Sequence, residues 1–116
     1  MRTNISLGCY LKPEIGFSRA VRSGQIVAVS GTAPIGNGCQ TGGVGDVYRQ
    51  TLRCFEIALQ ALEAGESGLG DVIRTLIMLT DIATWKEAGR AHGEVFSSVR
   101  PAFTFVEVEI DAVTER

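Results

Sequence analysis

Two β-rich segments are apolar on both faces, and this limits how the chain can fold. They are QIVAVS at 25–30 and VIRTLIMLT at 72–80, the second interrupted by Arg74. Successive side chains of a strand point to opposite faces of a sheet, so a half-exposed strand alternates apolar and polar residues. Both segments are therefore expected to be covered on both faces.

Apolar residues at helical spacing predict a first helix in the middle of the chain. Asp46 is a suitable N-cap, the helix is expected to run to about Ala64, and Gly65 fits the C′ position. The apolar stripe favours core packing over a cofactor site, and it consists of Tyr48, Leu52, Phe55, Leu59 and Leu62.

A second helix is predicted before the C-terminal strand. Thr84 and Glu87 have the spacing of a capping box, and Pro101 ends the pattern after about Val99. His92, the only histidine, lies on the apolar stripe of this helix. A partly buried structural role is expected for it rather than that of a catalytic base.

The remaining apolar segments predict strands. Segments 17–22 and 25–30 flank the turn residues Ser23 and Gly24, which predicts a hairpin, and a final strand follows Pro101. The expected order is β-β-α-β-α-β, an α+β domain. Two helices can cover only one face of such a sheet, so we expect a homo-oligomer that buries the other face.

Length and composition narrow the classes of function. A chain of 116 residues suits a single domain, 1–116, and a formal net charge of −2 argues against a nucleic-acid partner. The sequence has neither a signal-peptide pattern nor an apolar run of about 20 residues, so neither membrane insertion nor secretion is expected. Three cysteines without regular spacing predict reduced thiols, a cytoplasmic location and no metal site.

The C-terminal stretch RPAFTFVEVEIDAV, residues 100–113, separates into two faces by parity. The even-numbered residues after Thr104 are all apolar, and this side predicts a core face. The odd-numbered face begins with Phe103 and Phe105 and continues with Glu107. A face that runs from aromatic to acidic is a candidate for the lining of a binding site, but packing in a barrel or an interface is favoured over ligand contact for the two phenylalanines.

Several segments, in this order, resemble the Rid family, also called YjgF-like or L-PSP endoribonuclease proteins. They are IGFSRAV (15–21), VSGTAP (29–34), QTLRCFEIALQALEAG (50–65), DVIRTLIMLTDI (71–82) and RPA (100–102). The resemblance implies a chorismate-mutase-like α+β fold and a homotrimer whose sheets form a central barrel. It also implies small-molecule clefts between subunits and hydrolysis of reactive imines or enamines without metal or organic cofactor.

The resemblance also assigns roles to individual residues. Ser30 and Gly31 match a Ser-Gly whose backbone lines the cleft, and Phe17 stands where a tyrosine is usual. Phe103 stands where active deaminases carry the arginine that binds the substrate carboxylate. Glu107 matches the catalytic glutamate if the last segment is the family's terminal strand, but is incidental if that segment is the penultimate one.

Three functions are compatible with these residues. The first is a hydrolase of imines other than 2-imino acids, with Glu107 activating water and Ser30-Gly31 orienting the substrate. The second is a trimer that binds a metabolite without catalysis and regulates a partner. The third, a ribonuclease, is the weakest because the chain is acidic. Arg19 shares a strand face with Phe17 and is a candidate for the missing cation.

Overall fold

The computed structural model describes residues 2–6, 16–36 and 40–109. In chain order, the described strands and helices are β1 (Arg2–Ile5), β2 (Ala20–Ser23), β3 (Ile26–Val29), α1 (Val47–Ala64), β4 (Arg74–Leu79), α2 (Trp85–Phe96) and β5 (Ala102–Glu107). Short 3₁₀ turns precede β4 and α2, at Leu69–Asp71 and Ile82–Thr84. The fold is mixed α+β, as the sequence predicts.

The N-terminal half of the chain forms a three-stranded antiparallel sheet in the order β1-β2-β3. The predicted hairpin is confirmed, but its turn lies one residue later than predicted, at Gly24 and Gln25, because Ser23 still pairs with Ile26. Gly24 has φ of 61°, a left-handed conformation that favours glycine. Strand β1 was not predicted. Ile5 is its one apolar residue, so the segment has no apolar pattern that would predict a strand. It forms a strand because it pairs with β2.

Helix α1 begins and ends close to the predicted residues. Asp46 is the N-cap, and its Oδ1 accepts a hydrogen bond from the Arg49 amide at 3.0 Å. At the other end the prediction is wrong by one position, because Glu66 takes the left-handed conformation with φ of 61°, whereas Gly65 has φ of −90°. Glycine suits position 65 for another reason, since a Cβ there would lie 3.1 Å from Ile5 Cδ1.

Strands β4 and β5 form a second, parallel sheet, joined through α2. Burial alternates strictly along β4, where every second residue from Thr75 to Leu79 is buried against the helices. Leu76 and Met78 point to the other face and are 48% and 49% exposed. The helices of one chain therefore cover only one of the two apolar faces of this strand.

The odd-numbered face of β5 packs on the core, whereas the even-numbered face was expected to do so. Phe103 and Phe105 pack against the buried cluster formed with Ile77, Leu79 and Ala88. The register explains this, because Phe103 pairs with buried Thr75 and the odd-numbered residues thus share the helix-covered face. The predicted continuation of the strand to Val113 lies largely outside the described residues.

Helix α2 differs from its prediction at both ends. The Thr84 side chain makes no capping bond, and its Oγ1 instead donates to the Asp81 carbonyl at 2.7 Å within the preceding 3₁₀ turn. The capping box is therefore wrong. The helix ends at Phe96, and Arg100 takes a left-handed conformation with φ of 54° directly before Pro101, so the turn after Phe96 replaces the last predicted helical residues.

Helix α1 connects the two halves of the core. Ala61 packs with Ile5 and Ala20 of the three-stranded sheet, whereas Phe55 packs on the cluster of β4 and α2. No helix in the described residues is long and apolar enough to span a membrane.

Candidate functional site

The backbone at Ser30 and Gly31, directly after β3, is held by Arg19. The Nη2 atom of Arg19 donates to the carbonyl of Ser30 at 2.8 Å and to that of Gly31 at 2.6 Å. Arg19 is only 8% exposed, so these charge-assisted bonds form away from bulk water. The guanidinium binds the chain's own carbonyls, which makes Arg19 a fixing element of this segment and disfavours it as the replacement cation.

The side chain of Ser30 has a structural partner. Its hydroxyl donates to the Ser18 carbonyl at 2.6 Å, and its own carbonyl also accepts from the Thr32 hydroxyl at 3.0 Å. Gly31 is exposed and lies beside Met78, because a Cβ at Gly31 would come 3.9 Å from the Met78 Cε. The backbone of Ser30 is fully engaged within the chain, since its amide also donates to the Arg19 carbonyl at 3.0 Å. Gly31 is therefore the part of this segment that a ligand can reach, next to the open face of β4.

Cys54 faces the same segment from α1 but is poorly suited to nucleophilic chemistry. Its Sγ donates to the Thr32 carbonyl at 3.3 Å. Burial raises the pKa of this thiol to about 11, and the opposing effect of Arg19 and Arg53 is smaller. The thiolate is the reactive form of cysteine, so Cys54 remains protonated and unreactive at neutral pH.

Phe103 belongs to an aromatic stack rather than to an open surface. Its ring lies parallel to that of His92, with centroids 4.1 Å apart and an interplanar angle of 13°. Phe105 meets Phe103 edge-on at 4.5 Å and contacts the half-exposed Trp85 at 6.3 Å. The position at which the family resemblance expects an arginine is thus filled by a ring packed against α2.

Glu107 ends β5 on the same strand face as Phe103 and is exposed. Its Oε2 accepts a hydrogen bond from the Ile82 amide at 3.0 Å, which ties the strand to the 3₁₀ turn before α2. Within the described residues, this is the one hydrogen bond that its carboxylate makes. The carboxylate therefore has a structural contact and still faces solvent.

The five predicted site residues are not gathered in one place. Gly31 lies beside Met78, whose side chain projects from the face of β4 that the helices do not cover. Phe103 and Glu107 lie on the helix-covered face of β5. Phe17 precedes β2 and is 37% exposed. In a single chain, Gly31 and the pair Phe103 and Glu107 therefore lie on opposite sides of the sheet formed by β4 and β5.

Two contacts near these residues were not predicted from the sequence. One is the hydrogen bond between His92 Nε2 and Thr75 Oγ1, at 2.7 Å, and the other is the hold of Arg19 on the two carbonyls. The apolar residues Leu76 and Met78 on the exposed face hid the alternation of β4, and backbone acceptors leave no trace in a sequence pattern. Only the tertiary structure brings these groups together.

Comparison with known proteins assigns the chain to a family. The family model described as "Endoribonuclease L-PSP" matches residues 9–112. The chain belongs to this family. An uncharacterised protein of Streptomyces coelicolor is 37% identical over 105 residues, which cover 90% of this chain and 78% of the relative. A RutC family protein of Pyrococcus abyssi is 31% identical over 99 residues, which cover 84% and 76%.

A solved structure of the family agrees with the fold. Rv2704 of Mycobacterium tuberculosis, described as a member of the YjgF/YER057c/UK114 family, superposes with a TM-score of 0.85 at 35% identity. The match covers 99% of this chain and 91% of that protein. The resemblance to the Rid and YjgF-like proteins stated from the sequence is thereby confirmed.

Proposed function

We propose that the protein is a Rid-type hydrolase that acts on imines without a 2-carboxylate, in clefts between the subunits of a homotrimer. The stacking of Phe103 on His92 carries the proposal, because it puts an apolar ring where the family resemblance expects a carboxylate-binding arginine. A phenyl ring offers no partner for a carboxylate, but it contacts neutral and aromatic groups well. The substrate class therefore differs from that of the 2-imino acid deaminases.

In this proposal water adds to the carbon of the C=N bond to give a carbinolamine. The nitrogen takes up the proton released by the water and leaves as ammonia or an amine, and a carbonyl group remains. Glu107 removes a proton from the attacking water, a role that needs a solvent-facing carboxylate on a fixed strand. Its bond to the Ile82 amide supplies that fixation. Gly31 orients the substrate through its backbone, in the segment with Ser30 that Arg19 holds in place, and no metal or cofactor takes part.

The trimer is supported by the exposed apolar residues of the sheets. Ile26 of β3 is 71% exposed, and Leu76 and Met78 of β4 are about half exposed. Burial of such a face between subunits contributes roughly 25 cal/mol per Å² of apolar surface. A subunit bound at Met78 would also lie close to Gly31, so its residues would line a cleft at that segment.

The assembly is tested by measuring the molar mass in solution. The wild type is expected to have the mass of a trimer by light scattering. Met78→Glu is expected to shift the mass toward that of the monomer, because it places a charge on the buried face. Val44→Glu is the matched control, since Val44 is 82% exposed and precedes α1. A monomeric wild type contradicts the trimer.

The substrate class is tested with imines generated in situ from amines and from amino acids. The wild type is expected to release ammonia faster from imines without a carboxylate. Phe103→Arg is expected to raise kcat/KM for 2-imino acids by roughly 10- to 100-fold, the effect of a charge-assisted pair of hydrogen bonds. Phe103→Leu removes the ring without adding charge and is expected to leave 2-imino acids as poor substrates.

The outcomes separate the hydrolase from the metabolite-binding trimer. If neither the wild type nor Phe103→Arg hydrolyses any imine, the hydrolase is contradicted. Ligands that raise the melting temperature without turnover would then favour the metabolite-binding trimer with a regulatory role. The Ser30 hydroxyl and the Cys54 thiol both bind backbone carbonyls of the chain, which leaves neither group as a nucleophile. These two contacts support the metabolite-binding function.

A further inference from the structure

His92 is a buried histidine surrounded by aromatic rings from three elements. The ring is 8% exposed and stacks on Phe103 of β5 at 4.1 Å. It also contacts Phe96 of its own helix at 4.7 Å and the edge of Phe55 of α1 at 5.7 Å. The imidazole is therefore the common contact of α1, α2 and β5.

The polar end of the ring is satisfied by one buried hydroxyl. Nε2 of His92 and Oγ1 of Thr75 are 2.7 Å apart, and Thr75 is 9% exposed. A neutral imidazole suits this arrangement, because a hydroxyl can donate to or accept from it. A protonated imidazole has two N–H donors and a full charge, which an apolar environment disfavours.

Several charged and titratable groups of the neighbouring elements have partners of their own. Tyr48 of α1 donates its hydroxyl to the Glu94 carboxylate, and the Arg90 guanidinium lies 3.9 Å from the Tyr48 ring centroid, so these groups pair with one another at an exposed contact between the helices. On β4, Arg74 donates to the Thr104 hydroxyl at 3.2 Å.

On β5, the carboxylate of Glu107 bonds the Ile82 amide. The aromatic and hydrogen-bond partners of His92 in the described part of the chain are uncharged. Burial accordingly lowers the pKa of His92 below its ordinary value of 6.5.

We propose that His92 is an acid-sensitive lock, which in its neutral form holds β5 against the two helices and on protonation releases Phe103. The inference concerns packing within the chain and holds whether or not the protein hydrolyses imines. Its direction follows from proton binding. The unfolded or opened state takes up a proton near pH 6.5 and the packed state only at lower pH, so stability falls as the pH decreases below about 6.5.

The chain provides two unique probes for a test. His92 is the only histidine and Trp85 the only tryptophan, and Trp85 contacts Phe105, the residue of β5 that adjoins Phe103. In the untagged full-length protein, imidazole proton resonances report protonation of His92, and Trp85 fluorescence reports the contact between α2 and β5. Both are followed from pH 7.5 to pH 5.0 without any ligand.

The wild type is expected to show a Trp85 emission change that follows His92 protonation, with a midpoint below pH 6.5. The unfolding equilibrium constant, from urea titrations, is expected to increase several-fold more between pH 7.5 and 5.0 than in His92→Gln, whose neutral amide can still bond Thr75. Equal acid sensitivity in both proteins overturns the lock.

The wild type alone also tests the inference, should His92→Gln fail to fold. Protonation of His92 at its ordinary pH, without any change in Trp85 emission, overturns the proposal. Thr75→Val removes the hydroxyl and keeps the shape of the side chain. It is expected to shift the midpoint of the Trp85 emission change to higher pH, because the neutral imidazole loses its hydrogen bond.

Discussion

Glu107→Gln is expected to lower kcat/KM for imine hydrolysis by at least about 100-fold, the usual contribution of a general base. Glutamine keeps a carbonyl oxygen that can accept the hydrogen bond now made by the Ile82 amide at 3.0 Å. The substitution therefore removes the basic group and keeps the tie between β5 and the 3₁₀ turn. The free energy of unfolding is expected to decrease by no more than about 1 kcal/mol.

Glu109→Gln is the matched control for this experiment. Glu109 has the same parity as Glu107, is exposed, and lies beyond the end of β5. The control is expected to keep the wild-type rate on the same imine. If both variants retain full activity, Glu107 has only its structural role, and water activation would have to come from another group. If both lose activity equally, a general effect of charge explains the loss.

Phe96→Ala is expected to cost about 3–5 kcal/mol of unfolding free energy, the usual effect of removing a buried aromatic ring. Phe96 is 4% exposed, and its ring meets Phe55 edge-on at 5.0 Å and His92 at 4.7 Å. The loss is large because the cavity would open where α1 and α2 meet. Urea unfolding at fixed protein concentration measures it, since assembly affects apparent stability.

An exposed apolar residue provides the comparison for Phe96. Ile73 is 84% exposed directly before β4, and Ile73→Ala is expected to change the free energy of unfolding by no more than about 0.5 kcal/mol. Phe96→Leu should fall between the two, because it retains part of the buried volume. A cost below about 1 kcal/mol for Phe96→Ala would mean that the aromatic cluster does not hold the helices together.

The predicted helices illustrate what local sequence can determine. The apolar spacing and the Asp46 cap located α1 to within a residue or two, because both are properties of a single turn of chain. The capping box at Thr84 failed because Asp81, three residues earlier, offers the Thr84 hydroxyl a carbonyl in a 3₁₀ turn. Competing local hydrogen bonds of this kind have no distinct signature in sequence.

The candidate site depends on features that no local sequence pattern contains. Phe103 and Glu107 were correctly placed on one strand face, since parity alone determines that. Which face the helices cover depends on the register with β4, where Phe103 lies opposite the buried Thr75. The separation of Gly31 from Phe103 depends on the arrangement of the two sheets, which no local pattern contains.

The family, the mixed α+β class and the two apolar faces of β4 could be predicted from the sequence, because they follow from residue order and periodicity. The environment of each candidate side chain depends on the fold. The fold places Phe103 against His92, the Arg19 guanidinium on the carbonyls of Ser30 and Gly31, and Glu107 on the Ile82 amide. These contacts join residues distant in sequence, and their energies depend on distance and burial, which exist only in the folded chain.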